Sequence, residues 1–290
     1  PNNIRWFKSS NGGASFPVTQ LLTSADCAKH PHIAAYGMGE TGDLVMSYMR
    51  SGEFCDESLW SRRYDGASWA SEVPLGSGSH SEFDCFGMAR SPLDGSIYRT
   101  FDPNGNTMVM RQYTGTWGGE IPLVSGSWPV RQHMAINASG QVMIVWDNTN
   151  HIFSQIYTPG VGTSTPQDMG QGGYSGACDV CAFPGTNDFY MVVGRDLGGG
   201  NYHVYGRKYT AGGWQAEESV MNGQANDFLV TPVVTADVAG KIYCIWEYWG
   251  SGKSQQWYAV RDAGLPPGPK GYVAGTVRDS FGALLPNASV

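Results

Sequence analysis

The sequence predicts an all-β chain: a β-propeller of about five four-stranded blades, with six as the alternative count, its ring closed by the N-terminal strand. Three observations predict it. A tyrosine-centred segment recurs about every 50 residues. Three short apolar runs accompany each copy. No window sustains the 3.6-residue apolar period that a helix requires, so almost no helix is expected.

The recurring segment reads RRYDGASW at Arg62, RQYTGTW at Arg111 and RKYTAGGW at Arg207, with weaker copies around Tyr157 and Tyr258. The positions Tyr64, Tyr113, Tyr157, Tyr209 and Tyr258 are 49, 44, 52 and 49 residues apart. Upstream of each lies a turn followed by an apolar run: GDLVMSY at Gly42, GSIYRTF at Gly95, GQVMIVW at Gly140, NDFYMVV at Asn187 and GKIYCIW at Gly240. Further upstream is another run: HIAAYG, CFGMAR, HMAINA, CDVCAF and PVVTAD. These runs, with the segment after the tyrosine motif, make four strands per repeat. A sheet of that size cannot bury both faces alone, whereas a radial array lets each sheet cover its neighbour.

The ends bear on closure. The last repeat has no fourth strand of its own before the Pro-rich stretch, so Phe16–Leu22 is expected to supply it. Ile4–Ser9 is then a surplus strand, which is what keeps six blades open. Residues 1–265 are assigned to the propeller. Residues 266–271, PPGPKG, read as a stiff linker. Residues 272–290 read as the start of a β-sandwich domain cut off at Val290, which points to a piece of a longer precursor.

Composition narrows the function classes. Of 290 residues, 41% are hydrophobic, enough for a core, and only 15% are charged. Forty Gly suit many tight turns and ten Trp supply large buried anchors. A net charge of −7 argues against a nucleic-acid partner. No apolar stretch is long enough for a membrane span. The six Cys match no zinc pattern, and Cys178-x-x-Cys181 has no second pair or nearby His. Asp102-Pro103-Asn104-Gly105-Asn106 is part of a calcium-loop pattern without its later Glu, and a hairpin turn is the better reading. No metal and no cofactor are expected. Asn137-Ala138-Ser139 and Asn287-Ala288-Ser289 match the glycosylation pattern.

Some residues carry a family resemblance. Ser9-Ser10-Asn11-Gly12-Gly13-Ala14-Ser15-Phe16 resembles the Asp-box, S-x-D-x-G-x-[ST]-W, of sialidase-like (BNR-type) propellers, with Asn for Asp and Phe for Trp. Tyr64-Asp65-Gly66-Ala67-Ser68-Trp69 is a reduced copy. The resemblance implies a structural turn at the blade edge, away from any active site. The repeats also resemble those of secreted bacterial proteins of unknown activity. The tail from Gly271 resembles the opening of a carboxypeptidase-regulatory-like β-sandwich, a module of extracellular bacterial proteins.

On a propeller the loops entering each innermost strand share one face with the loops leaving the second strand, and loops on a rigid scaffold carry function. The candidate ligand-binding residues there are His32, Asp84, Asp102, Trp128, Arg131, Asp147, Asp179, Arg195, Glu247 and Trp249. Carboxylates beside Trp rings suit a sugar, although Asp and Asn are also ordinary turn residues. Cys27 and Cys55 fall in neighbouring loops of one blade and are a candidate disulfide, while Cys244 reads as a buried thiol. A sialidase would need three converging arginines, for which Arg50, Arg131 and Arg195 are the candidates. A glycosidase would need two carboxylates at a set separation. No catalytic set is readable. The leading expectation is a secreted or surface-attached module that binds a glycan or another extracellular partner. A glycan-processing enzyme, hydrolase or lyase, and a structural unit of a surface assembly are the alternatives.

Overall fold

The computed structural model describes residues 4–9, 14–22, 28–37, 42–51, 57–77, 87–126, 129–148, 151–172, 178–198, 202–221, 228–250 and 253–262. Among them there is no helix. An N-terminal hairpin pairs β1 (Arg5–Lys8) with β2 (Val18–Leu21). Blade 1 is β3 (Ala28–Ala35), β4 (Leu44–Ser51), β5 (Glu57–Tyr64) and β6 (Val73–Ser77). Blade 2 is β7 (Met88–Arg90), β8 (Ile97–Phe101), β9 (Thr107–Tyr113) and β10 (Ile121–Ser125). Blade 3 is β11 (Val130–Ile136), β12 (Val142–Asn148), β13 (His151–Thr158), the short β14 (Gly162–Thr163) and β15 (Gln167–Gln171). Blade 4 repeats this with β16 (Cys178–Ala182), β17 (Phe189–Asp196), β18 (Tyr202–Thr210), β19 (Gly213–Trp214) and β20 (Glu218–Met221). Blade 5 has three strands: β21 (Phe228–Ala236), β22 (Lys241–Gly250) and β23 (Lys253–Asp262). All pairings are antiparallel and join strands consecutive in the chain, except that β15 and β20 pair with β13 and β18 past the short β14 and β19.

The core lies between successive blades. Met143, Val145 and Ile152 of blade 3 meet Cys178, Val180 and Met191 of blade 4. Val192 and Val204 of blade 4 meet Val234, Cys244 and Trp246 of blade 5. The sheets of blades 1 to 4 therefore bury both faces because each has a neighbour on either side, the hairpin serving blade 1. A fully buried apolar side chain contributes about 1.5–3 kcal/mol, so these interfaces dominate stability. The turns follow the sequence signals. Asp65 Oδ1 accepts the Ala67 and Ser68 N–H groups at 2.9 and 2.7 Å, Gly66 sits at φ 93°, and Trp69 returns to bridge Tyr64. The reduced Asp-box is thus a structural turn. Asn137 of the first glycosylation pattern is 1% exposed, and its amide donates to Gln141 Oε1 in its own turn and to the Asn187 carbonyl in the turn of blade 4.

One pairing differs from expectation. Val18–Leu21 does not complete blade 5 but pairs with Arg5–Lys8, the strand read as surplus. The apolar side of that hairpin explains the choice. Ile4, Trp6 and Leu22 land on Met46, Tyr48, Tyr64 and Trp69 of blade 1, with Trp6 5.4 Å from the Trp69 ring. Cys27, Cys55, Asp84, Trp128, residues 266–271 and residues 272–290 lie outside the described residues. Cys178, Cys181 and Cys244 are buried free thiols. No helix of the described residues is long and apolar enough to cross a membrane.

Candidate functional site

The innermost strands β3, β7, β11, β16 and β21 lie side by side, each against the next. Their register places His32, Gly87, His133, Asp179 and Val233 on one rung, opposite Ser47, Thr100, Val145, Val192 and Ile245. Aligning the sequence runs instead sets Cys178 against His133. The one-residue offset arises at the hairpin turn, which spans 137–141 between β11 and β12 and the longer 183–188 between β16 and β17; separately, β11 carries a bulge between Val130 and His133, which β16 lacks. Strands β3 and β21 carry the same bulge, before His32 and Val233. Bulges re-aim side chains and recur near functional sites.

Asp179 joins three of these strands. Its Oδ1 lies 3.1 Å from His133 Nδ1 on β11, and its Oδ2 accepts the Val234 N–H on β21 at 2.8 Å. Within the β11 bulge, Arg131 takes φ 47°, a left-handed conformation rare for a non-glycine residue and often found at functional sites. From there Arg131 Nη1 reaches Asp147 Oδ2 at 3.1 Å. Asp147 is 4% exposed, and its Oδ1 is buried with no hydrogen-bond partner among the described residues. Burial pushes its carboxyl up to about 6, although Arg131 pulls the other way. Asp147, Asp179 and Arg131 all act electrostatically on the buried Cys178 thiol, which burial holds well above its usual value.

A second group adjoins the first through His133. Burial lowers the His32 imidazole to about 3, helped by the positive fields of Arg99, His133 and His30, so His32 is neutral at physiological pH. Arg99 projects from β8 and is fully buried. His30, like Arg131, takes a left-handed φ of 50°. The structure thus brings together Arg131, Asp147 and Asp179 of the expected set, with His32 one strand group away. It adds His30, which the sequence also places on this face, and His133 and Arg99, which sequence reasoning missed. His133 had a signal: the aligned runs HIAAYG and HMAINA both open on His.

Other expected residues lie elsewhere. Asp102 turns Oδ1 back on its own loop, accepting the Asn104 and Gly105 N–H groups at 3.0 and 2.7 Å, so it acts as a hairpin cap. Arg195 is tied to Glu217 at 2.5 Å and to the Met169 carbonyl at 2.9 Å, towards the outermost strands. Arg50 is held likewise by Glu72 at 2.8 Å. The three arginines therefore do not converge, because two are claimed by outer-strand carboxylates. Glu247 and Trp249, by contrast, stay at the same end of the inner strands: Glu247 pairs with Val230 just before the β21 bulge, the register place that Asp147 holds against Val130, and Trp249 pairs with Phe228. Among the described residues no cluster of His, Cys, Asp and Glu could hold a metal ion.

No protein-family model matches the chain, and no curated protein matches it. Solved structures do. An ulvan lyase, described as a new polysaccharide-lyase family, is 11% identical over 79% of this chain and 68% of its own, with a TM-score of 0.53. The NanB sialidase of Streptococcus pneumoniae is 10% identical over 69% of this chain, with a TM-score of 0.51. The match spans about a third of that sialidase, 34% of its chain. The Aleuria aurantia lectin is 14% identical over 82% of this chain and 80% of its own, with a TM-score of 0.47. The likeness to the first two is one of fold: an all-β, propeller-like succession of antiparallel sheets.

Proposed function

We propose that this chain is a secreted or surface-exposed recognition module that binds a glycan at the innermost strands, where Arg131, His133, Asp147 and Asp179 meet. One observation carries the reading. Side chains of blades 3 and 4 pair off at one end of the inner strands, and one of them, Arg131, sits on a left-handed bulge position that a purely structural strand has no need of. Guanidinium, imidazole and carboxyl groups together offer the donors and acceptors that fix sugar hydroxyls. The fold neighbours add support, since an ulvan lyase and a sialidase are both proteins that act on glycans. Asp84, Trp128, Glu247 and Trp249 are proposed to complete the same face.

The scaffold proposed for this site is a closed ring of five blades over residues 1–265, leading through 266–271 into a second domain at 272–290. Closure is supported by two uncovered faces. Val233, Ile245 and Tyr258 form an exposed row across blade 5, and Phe7 and Leu21 are exposed on the hairpin. The hairpin's outer face docking on blade 5 would bury both.

The second reading is a glycan-processing enzyme. Asp147, pushed up to about 6 by burial, is suited to act as a proton donor near neutral pH. A glycan array, followed by incubation of each hit with the chain and product analysis, separates the two. Binding without turnover is expected. Turnover of a hit would replace recognition by catalysis, and binding to no glycan would sink both.

A further inference from the structure

Away from the inner strands, one constellation occurs twice. In blade 1, Arg50 lies 4.8 Å from the centroid of the Trp60 ring and pairs with Glu72 at 2.8 Å. In blade 4, Arg195 lies 5.6 Å from the Tyr205 ring and pairs with Glu217 at 2.5 Å. The register shows these to be the same lattice positions. Arg50 faces Ser58 and Arg195 faces His203, each two residues before the aromatic ring on the partner strand. Ser61 pairs with Val73, and Gly206 pairs with Glu218, each acid being the residue just before. The two copies are separated by 145 residues of sequence (195 minus 50).

The set is not what holds the outermost strand in place. At these positions blade 2 carries Pro103, Val109 and Glu120, and blade 3 carries Asn148, Phe153 and Pro166. Strands β10 and β15 nevertheless pair with their blades at the same places. Partly exposed ion pairs also contribute little to stability, typically about 0–1 kcal/mol. All four charged side chains keep between about a fifth and three-tenths of their surface in solvent, at 28% and 26% in blade 1 and 19% and 28% in blade 4. Glu72 is also oriented from beneath, because the buried Tyr48 hydroxyl donates to its Oε1 at 2.5 Å.

We infer that blades 1 and 4 carry two equivalent subsites for a neutral pyranose, each made of an arginine, a glutamate and an aromatic ring. This rests on the glycan-recognition reading and adds to it a second location, a number of sites and a ligand class. A guanidinium beside a carboxylate presents donors and acceptors to a pair of vicinal hydroxyls. The aromatic edge supplies an apolar surface for the sugar's C–H face. Because each arginine is neutralised by its glutamate, the pair has no net charge to favour an anionic sugar.

The test uses the full chain labelled with 15N-tryptophan, with the Trp60 indole N–H assigned through Trp60→Phe. The probes are methyl α-L-fucopyranoside, methyl β-D-galactopyranoside and methyl α-D-mannopyranoside. At least one should move the Trp60 resonance saturably, with two sites per chain by calorimetry. Glu72→Gln should weaken the Trp60 response at least tenfold. Glu217→Gln should leave it intact and remove one site. No movement of Trp60 with any probe, or a response that survives Glu72→Gln, overturns the inference. If an array glycan binds while Trp60 stays still, the rim subsites fail and recognition at the inner strands stands. Binding of no glycan at all overturns both.

Discussion

Asp147 concentrates the chemistry of the inner strands in one side chain. Its carboxyl has been taken out of water, keeps one cationic partner and leaves one oxygen without a partner among the described residues. Its pKa is therefore about 6 in the folded chain against 3.8 unfolded. The folded state holds the proton more tightly, so this group's stabilisation is complete below about pH 4 and is lost as pH rises through 6. His32 works in the opposite sense: its depressed pKa, about 3, costs stability as pH falls below 6.5. Replacing Asp147 by Asn isolates the first effect. Urea unfolding at pH 4.5 and 7.5 should show the parent losing on the order of 1–2 kcal/mol relative to Asp147→Asn on going to the higher pH. An unchanged difference would contradict the burial argument. Arg131, Asp147 and Asp179 were legible in the sequence because loop-end positions on a repeat can be counted. Their partners were less so: Arg99 lies inside an ordinary strand run, and the bulge that re-aims Arg131 leaves no residue signal.

The N-terminal hairpin shows what local pattern can and cannot decide. Both strands were legible as apolar runs flanking a Gly-rich turn. Which partner Val18–Leu21 would take was not, because two unpaired edges were available and strand pairing carries no local signature. The choice rests on long-range packing, with Trp6 wedged 5.8 Å from Tyr64 and 5.4 Å from Trp69. Trp6→Ala should therefore cost about 2–3 kcal/mol by chemical denaturation, towards the low end of aromatic truncations because Trp6 is only partly buried. A loss within about 0.5 kcal/mol would mean that the hairpin is not a wall of blade 1. Blade-level spacing was readable for a related reason. Gly and Asp turns at fixed offsets are local devices, as Gly95 illustrates: its φ is 73°, and a Cβ there would lie 2.5 Å from the Gly37 backbone.

Across the whole molecule, a single rung reports on closure. Ser47, Thr100, Val145 and Val192 hold the same place in blades 1 to 4 and are each 0% exposed, whereas Ile245 in blade 5 is 49% exposed. If the hairpin's outer face covers blade 5, Ile245→Asp should destabilise the chain by about 2 kcal/mol or more, as burying an unpaired charge requires. A change within about 0.5 kcal/mol would leave the array open. Closure and ligand binding are linked, because the inner strands converge only as far as the blades hold them together. The central claim is that charged groups gathered by β11, β12 and β16 bind a glycan. Its most direct test is calorimetric titration of the strongest array glycan into the parent chain and into an Arg131→Gln, Asp179→Asn variant. At least a tenfold loss of affinity is predicted, with the variant still folded by near-ultraviolet circular dichroism. Equal affinity in the two proteins would contradict the account.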